Sequence, residues 1–206
     1  MFLSHVCRSC IKARERPAAF RRVAAILARR VTAIAGHRNG GNSGRVPLRR
    51  IASAPHRPGT PRLRIAFASD HAAVALKALL VDHAVTLGHD AIDLGPETDA
   101  RVDYPDFGYK LADAIAAGEA DIGVALCGSG IGISIAVNRN PACRCALVSE
   151  PLSAALARQH NDANVVAMGA RVIGPDLAKA CLEAFLAAPF EGGRHQDRVA
   201  KLSRKD

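Results

Sequence analysis

The sequence predicts an α/β fold: a three-layer, doubly wound domain on a five-stranded parallel sheet, preceded by a basic N-terminal arm that is disordered or weakly structured. Three observations carry this. From Leu63 onward, short β-branched runs alternate with runs of helical period. Each junction between them holds Gly, Asp or Ser, as consecutive βαβ units require. Charge, finally, divides unevenly along the chain. Of the 28 Lys and Arg residues, 13 precede Arg62 against a single acid, Glu15, while 15 basic and 18 acidic residues lie from Arg62 onward. The net charge of +9 therefore belongs to the arm, and the body is mildly acidic. With 206 residues, 49% hydrophobic and 23% charged, the chain has room for one ordinary domain and a remainder, which excludes disorder throughout. No run approaches the roughly 18 uninterrupted apolar residues that cross a bilayer.

The elements follow in order. Arg64 to Ala68 is the first strand, and Ala72 to Leu87 a helix with Leu76, Leu80, Ala84 and Leu87 on one face, stopped by Gly88. Ala91 to Leu94 is the second strand. A polar loop leads to a helix from Pro105 to Ala117, with Pro in its first turn and Gly118 beyond its end. Ile122 to Leu126, apolar without alternation, reads as a strand covered on both faces. Then come a helix at Ile133 to Val137, a strand at Cys145 to Val148, a helix at Pro151 to Gln159, a strand at Val165 to Met168 and a helix at Asp176 to Ala187. A short basic helix after Gly193 closes the chain. Right-handed crossovers make this a Rossmann-like domain over residues 62–206, with ligands expected outside the carboxyl ends of the strands.

Residues 1–61 mix Arg pairs with a Gly/Asn/Ser patch and a Pro-rich exit at Pro55, Pro58 and Pro61. Their longest apolar run, Val23 to Ala28, is too short and too flanked by charge for a secretory signal. An organelle transit peptide, a nucleic-acid or membrane arm, and an over-extended reading frame that truly initiates at a non-Met codon near Val46 or Leu63 all stay open. The six cysteines suit a reducing compartment, and a cytoplasmic location is the expectation. Cys7 and Cys10 form a lone CxxC, a weak metal signal.

Four clusters could carry chemistry. Ser69-Asp70-His71 follows the first strand and Cys127-Gly128-Ser129-Gly130-Ile131-Gly132 the third. In a sheet of order 2-1-3-4-5 these loops flank one crevice. Glycines let successive N–H groups turn toward an anion, and a thiol at such a helix start has its pKa pulled below that of a free cysteine. The loop is neither a GxGxxG nor a P-loop, because Ile133 stands where the last Gly belongs and no Lys-Ser/Thr follows, so a nicotinamide cofactor is disfavoured despite Glu150 after the next strand. Taken singly, Cys127 reads equally as a buried strand-end residue, Asp70 as an N-cap and His71 as a surface residue. The other clusters are His160-Asn161-Asp162-Ala163-Asn164, and Arg171 with Arg194-His195-Gln196-Asp197-Arg198. Arg194 and Arg198, four apart, share a helical face that could clamp a phosphate dianion.

Ala68-Ser69-Asp70-His71, Asp103-Tyr104-Pro105, Cys127 to Ser134, Arg158 to Asn164 and Glu191 to His195 occur in this order. Together they resemble the family of ribose-5-phosphate isomerase B and the galactose-6-phosphate isomerase subunits, over about Arg62 to Leu202. The resemblance implies interconversion of ribose 5-phosphate and ribulose 5-phosphate through a cis-enediolate, without metal or organic cofactor, in the Cys-dependent subtype. It implies Cys127 as base at C2, an anion hole from the amides of Gly128, Gly130 and Gly132, and Ser129 moving protons at the substrate oxygens. His160, with Asp70, would open the furanose. His71, Arg171, Arg194 and Arg198 would hold the phosphate, with Tyr104 and Asn161 on the sugar hydroxyls. A homodimer or dimer of dimers with shared active sites is implied, with a small sugar phosphate as ligand and no nucleic acid or membrane for the folded domain. Alternatives are a six-carbon substrate, such as allose or galactose 6-phosphate, and a non-catalytic sugar-phosphate-binding regulator.

Overall fold

A computed structural model of the chain describes residues 49–51 and 61–202. Apart from Arg49–Ile51 and Pro61, the expected arm lies outside the described residues, as do Cys7 and Cys10. The described elements are β1 (Arg49–Ile51), β2 (Arg64–Ser69), α1 (Val74–Thr86, preceded by a 3₁₀ turn at His71–Ala73), β3 (Asp90–Asp93), α2 (Tyr104–Ala116), β4 (Ile122–Cys127), α3 (Ile131–Val137), β5 (Cys145–Leu147), α4 (Pro151–Asn161), β6 (Val165–Gly169), α5 (Pro175–Ala187) and α6 (Arg194–Leu202). Boundaries fall within two residues of the sequence reading.

Five of the six strands are parallel, and the sheet order is β1-β3-β2-β4-β6-β5. Two corrections to the sequence reading follow. A sixth, antiparallel strand, β1, pairs with β3 in the register Arg50↔Ile92, although it belongs to the stretch expected to be disordered or weakly structured. Three residues between basic and proline-rich segments offer too little pattern to be read as a strand. The last two parallel strands are also exchanged relative to the expected 2-1-3-4-5 order. Val165–Gly169 is buried at all five positions and takes the interior place beside β4, while Cys145–Leu147, half-buried to exposed, takes the edge. Burial on both faces suits an unbroken apolar strand; a short strand with an exposed end suits an edge.

Each face of the sheet has its own core. Ile65, Phe67, Val124, Leu126, Val166 and Met168 pack with Leu76 and Leu80 of α1, Ala154 of α4, and Leu182 and Phe185 of α5. The opposite face is built from small residues, Ala66, Ala68, Ala125 and Ala167, under Leu111 of α2 and Ile133 and Val137 of α3. The helices here sit so close that a Cβ on Gly108 would lie 2.8 Å from the Ala136 Cβ. Lys77, 2% exposed, reaches from α1 to the Asp93 carboxylate and donates to the Pro96 carbonyl at 2.8 Å. That buried pair ties down the start of the loop that delivers Tyr104. Among the described residues no helix is long and apolar enough to cross a membrane.

Candidate active site

Because β6 rather than β5 neighbours β4, three adjacent strand ends converge on one cleft of about 630 Å³. From β2 comes Asp70, 7% exposed, whose carboxylate caps the following turn by accepting from the Ala72 N–H at 2.9 Å. From β4 comes Cys127, 4% exposed, at the cleft floor. Gly130 turns left-handed (φ 79°), which lets its N–H donate to Cys127 Sγ at 3.0 Å. A Cβ there would lie 2.6 Å from a Leu147 methyl carbon and 2.8 Å from the Met168 carbonyl carbon, so the turn admits only glycine. Ser129 sits at the rim, its Oγ accepting from the Ile131 N–H at 3.3 Å. From β6 comes Arg171. Its backbone N–H donates to the Gly128 carbonyl at 3.0 Å, and its guanidinium stands about van der Waals distance from where a Gly128 side chain would begin. Tyr104, at the start of α2, lays its ring on bare Gly132. One thiol, one carboxyl-edge glycine loop, a carboxylate, a hydroxyl and a guanidinium therefore face one volume. That set can move a proton beside an oxyanion and hold an anionic group.

The remaining expected residues do not join them within one chain. His71 is not part of the cleft wall; its Nδ1 lies 3.1 Å from the Val102 carbonyl. His160 and Asn161 end α4, and the Asn164 carbonyl just beyond accepts from the Gly123 N–H at the start of β4. Gly123 and Cys127 are four residues apart on one strand, so this cluster sits about 13 Å away, at the amino edge of the sheet. Arg194 and Arg198 begin α6, which is linked to the same edge by the Glu191 N–H donating to the Gln159 carbonyl. The sequence reading put Asp70, His71 and Cys127 at one crevice and implied sites shared between subunits; topology leaves the His160 and Arg194 clusters at the other edge, because a helix between parallel strands returns the chain to the opposite edge.

At the amino edge the His160 and His195 rings stack, centroids 4.3 Å apart and 1° from parallel. Glu191 Oε2 lies 3.8 Å from the Nε2 of each. Burial foremost, then the neighbouring His160 and Arg194, holds the His195 pKa below the usual imidazole range. Parallel rings send their lone pairs along separate lines, and Arg194 Nε already donates to His195 Nε2 at 3.3 Å, so the trio suits a base pair better than a cation. The partnership of Glu191 with both histidines was missed in the sequence; Glu191 precedes α6, and the left-handed Gly192 and Gly193 turn it back toward His195. The apolar rim of the cleft, exposed Ile131, Ile135 and Val172, was missed as well. The other described cysteines, Cys143, Cys145 and Cys181, are free thiols in or against the core, and burial pushes the Cys143 thiol up to about 11.

Residues 65–202 match the Ribose/Galactose Isomerase family. The chain is 48% identical over 140 residues to ribose-5-phosphate isomerase B of Escherichia coli, covering 68% of this chain and 94% of that one. It is 42% identical over 141 residues to a D-erythrulose-4-phosphate isomerase of Pectobacterium atrosepticum, covering 68% and 93%. Among solved structures, ribose-5-phosphate isomerase B of Mycoplasma genitalium with bound ribulose-5-phosphate superposes with a TM-score of 0.66 at 40% identity, covering 68% of this chain and 94% of that one. Five motifs in order, a doubly wound sheet with its cleft at the switch point, and these likenesses over the whole body agree: the chain belongs to the ribose/galactose isomerase family, whose members isomerise sugar phosphates.

Proposed function

We propose that the chain interconverts ribose 5-phosphate and ribulose 5-phosphate, with Cys127 as the base. What carries this reading is the thiol on the cleft floor, met by the Gly130 N–H and facing Asp70, Ser129 and Arg171. The thiolate removes the proton from C2 of the open-chain aldose. The C–H electron pair becomes the C1=C2 bond of a cis-enediolate, and charge gathers on O1, where the remaining backbone amides of the Gly128 to Gly132 loop stabilise it, the Gly130 N–H being held by Cys127 Sγ. Ser129 passes protons between O1 and O2, and the proton on sulfur returns to C1 to give the ketose. Arg171 draws the phosphate from the cleft side, helped by His71 from just outside the cleft wall, and the Tyr104 hydroxyl holds a sugar hydroxyl.

The rest of the chemistry comes from a second copy. Ring opening falls to His160, with Asp70 across the cleft; Asn161 completes the hydroxyl contacts, and Arg194 and Arg198 close on the phosphate. Two observations support an assembly of copies. The amino-edge cluster cannot reach Cys127 along its own β4, and the cleft is rimmed by exposed Ile131, Ile135 and Val172, apolar area that favours burial. The protein in this reading is a homodimer or dimer of dimers of the folded domain, residues 62–206, acting in the cytoplasm, with residues 1–61 outside the chemistry.

A second reading is a four-carbon substrate, favoured by the 42% identity to a D-erythrulose-4-phosphate isomerase. Turnover of the purified full chain on ribose, allose and galactose phosphates and on D-erythrulose 4-phosphate decides between them. The proposal expects the highest kcat/KM on ribose 5-phosphate, undiminished by EDTA. A preference for the four-carbon ester contradicts the substrate, and no turnover on any ester contradicts the chemistry.

A further inference from the structure

The turn that carries His160 and Asn161 is held far more firmly than an ordinary helix end. Asp162 closes α4 in the left-handed conformation (φ 45°), the sole non-glycine with positive φ among the described residues. Its carboxylate is divided between two guanidiniums: Arg144 Nη2 at 2.6 Å on one oxygen and Arg158 Nη1 at 3.2 Å on the other. Arg144 also donates through Nε to the Asn161 carbonyl at 3.1 Å and to the Asp162 carbonyl at 2.8 Å. Arg158 donates to the Ala163 carbonyl at 2.7 Å and rests over the ring of fully buried Phe185, 5.7 Å from its centroid. Asn164 completes the lock: its Oδ1 accepts from the Arg144 N–H at 2.8 Å and its Nδ2 donates to the Ala142 carbonyl at 2.7 Å.

A helix end needs a cap, and a glycine would supply it with less backbone strain. Here an aspartate accepts the left-handed conformation and two arginines are spent on it. The consequence is that both residues just before it, His160 and Asn161, emerge from a backbone fixed at three consecutive carbonyls, while their side chains stay half-buried and exposed, free to meet a ligand. We propose that Arg144, Arg158 and Asp162 are positioning residues that set His160 and Asn161 for the ring-opening step. The inference rests on the sugar-phosphate reading above and adds a division of labour: the clamp serves the cyclic substrate, while proton transfer at C1 and C2 belongs to the Cys127 cleft.

That division gives a readout that a merely structural role does not move. Ribulose 5-phosphate has no free hydroxyl with which to close a furanose, so exchange of its C1 proton with deuterated solvent needs the base and the anion hole but no ring opening. Net conversion of ribose 5-phosphate needs both. In the full-length chain, Asp162→Asn keeps a residue that tolerates the left-handed turn and Arg144→Lys keeps the charge while losing the fork. In each, the ratio of conversion rate to exchange rate, both at saturating substrate, is expected to fall at least about tenfold, because a general acid–base group contributes roughly 10²- to 10⁴-fold when well placed. Proton exchange, followed by NMR, persists near the wild-type rate and reports that the cleft remains folded. Equal losses in both assays, or no loss in either, overturn the clamp. A wild-type chain inert in both assays overturns instead the reading on which the clamp rests.

Discussion

Gly132→Ala separates catalysis from stability. A Cβ at this position would lie 2.6 Å from both Cε2 and Cζ of Tyr104. Ordinary carbon–carbon contact is about 3.5 Å, so the ring must retreat about 0.9 Å. Tyr104 is exposed and Gly132 lies in the first turn of α3, so the ring yields rather than the helix. Ala is preferred over Gly inside a helix by about 1 kcal/mol, so the melting temperature holds or rises. The cleft wall and the Tyr104 hydroxyl, however, are displaced by close to an ångström, a misplacement that can cost about 10²-fold in rate, or about 2.7 kcal/mol of transition-state stabilisation. Steady-state kinetics on ribose 5-phosphate beside thermal melts of the same samples provide the check. The expected result is a lower kcat/KM with unchanged melting. If the loss acts through the ring, Gly132→Ala adds nothing in a Tyr104→Ala background. A full additional loss in that background refutes the reasoning.

Other perturbations follow from the same geometry. Arg194→Ala raises KM more than it lowers kcat, since phosphate anchoring is shared by ground and transition states; an unchanged KM removes Arg194 from the site. Lys77→Ala leaves the Asp93 carboxylate with the Gly95 N–H but without its cation and costs about 3 kcal/mol, seen in denaturant unfolding; a loss below about 1 kcal/mol shows that the pair is dispensable. Ile135→Glu puts a charge on the exposed rim and is expected to give a smaller species by light scattering with little turnover, whereas an unaltered oligomer shows that this rim is not the contact. His195 has its pKa lowered by burial, His160, Arg194 and Arg198 against the opposing Glu191, so the folded protein resists the proton that the unfolded chain accepts. Its contribution is present above the ordinary imidazole value near 6.5 and lost as pH falls below it. Wild type should lose more melting temperature between about pH 7.5 and about pH 5.5 than His195→Gln does; equal losses contradict the burial argument.

Legibility differed by kind of signal. The central strands were plain because burial on both faces leaves an unbroken apolar run, as in Ile122–Cys127 and Val165–Gly169. Helix ends were plain where Pro105, Pro151 or Gly118 marked them. Strand order was less so. Nothing local in Cys145–Leu147 says that it yields the interior place to β6, because order is settled by how much of each strand can be buried. Candidate residue types were legible, since Asp70, Cys127 and the glycines sit at strand ends in motif order, yet their partition between the two sheet edges was not. A motif lists residues along the chain, whereas the edge a residue occupies depends on which way its helix runs. Glu191 stands in a motif without a role of its own and Arg144 in none, and only their contacts with His160, His195 and Asp162 reveal what they do.

Subunit complementation tests the central claim, that thiol and histidine act together from different chains. Cys127→Ala and His160→Asn are each expected to be nearly inactive. When the two are co-refolded so that subunits assort at random, half of the dimers are mixed, and each holds one site with neither lesion, so activity should return to about a quarter of wild type. Mixtures that stay as inactive as their parents, although mixed dimers are demonstrated by mass, contradict it.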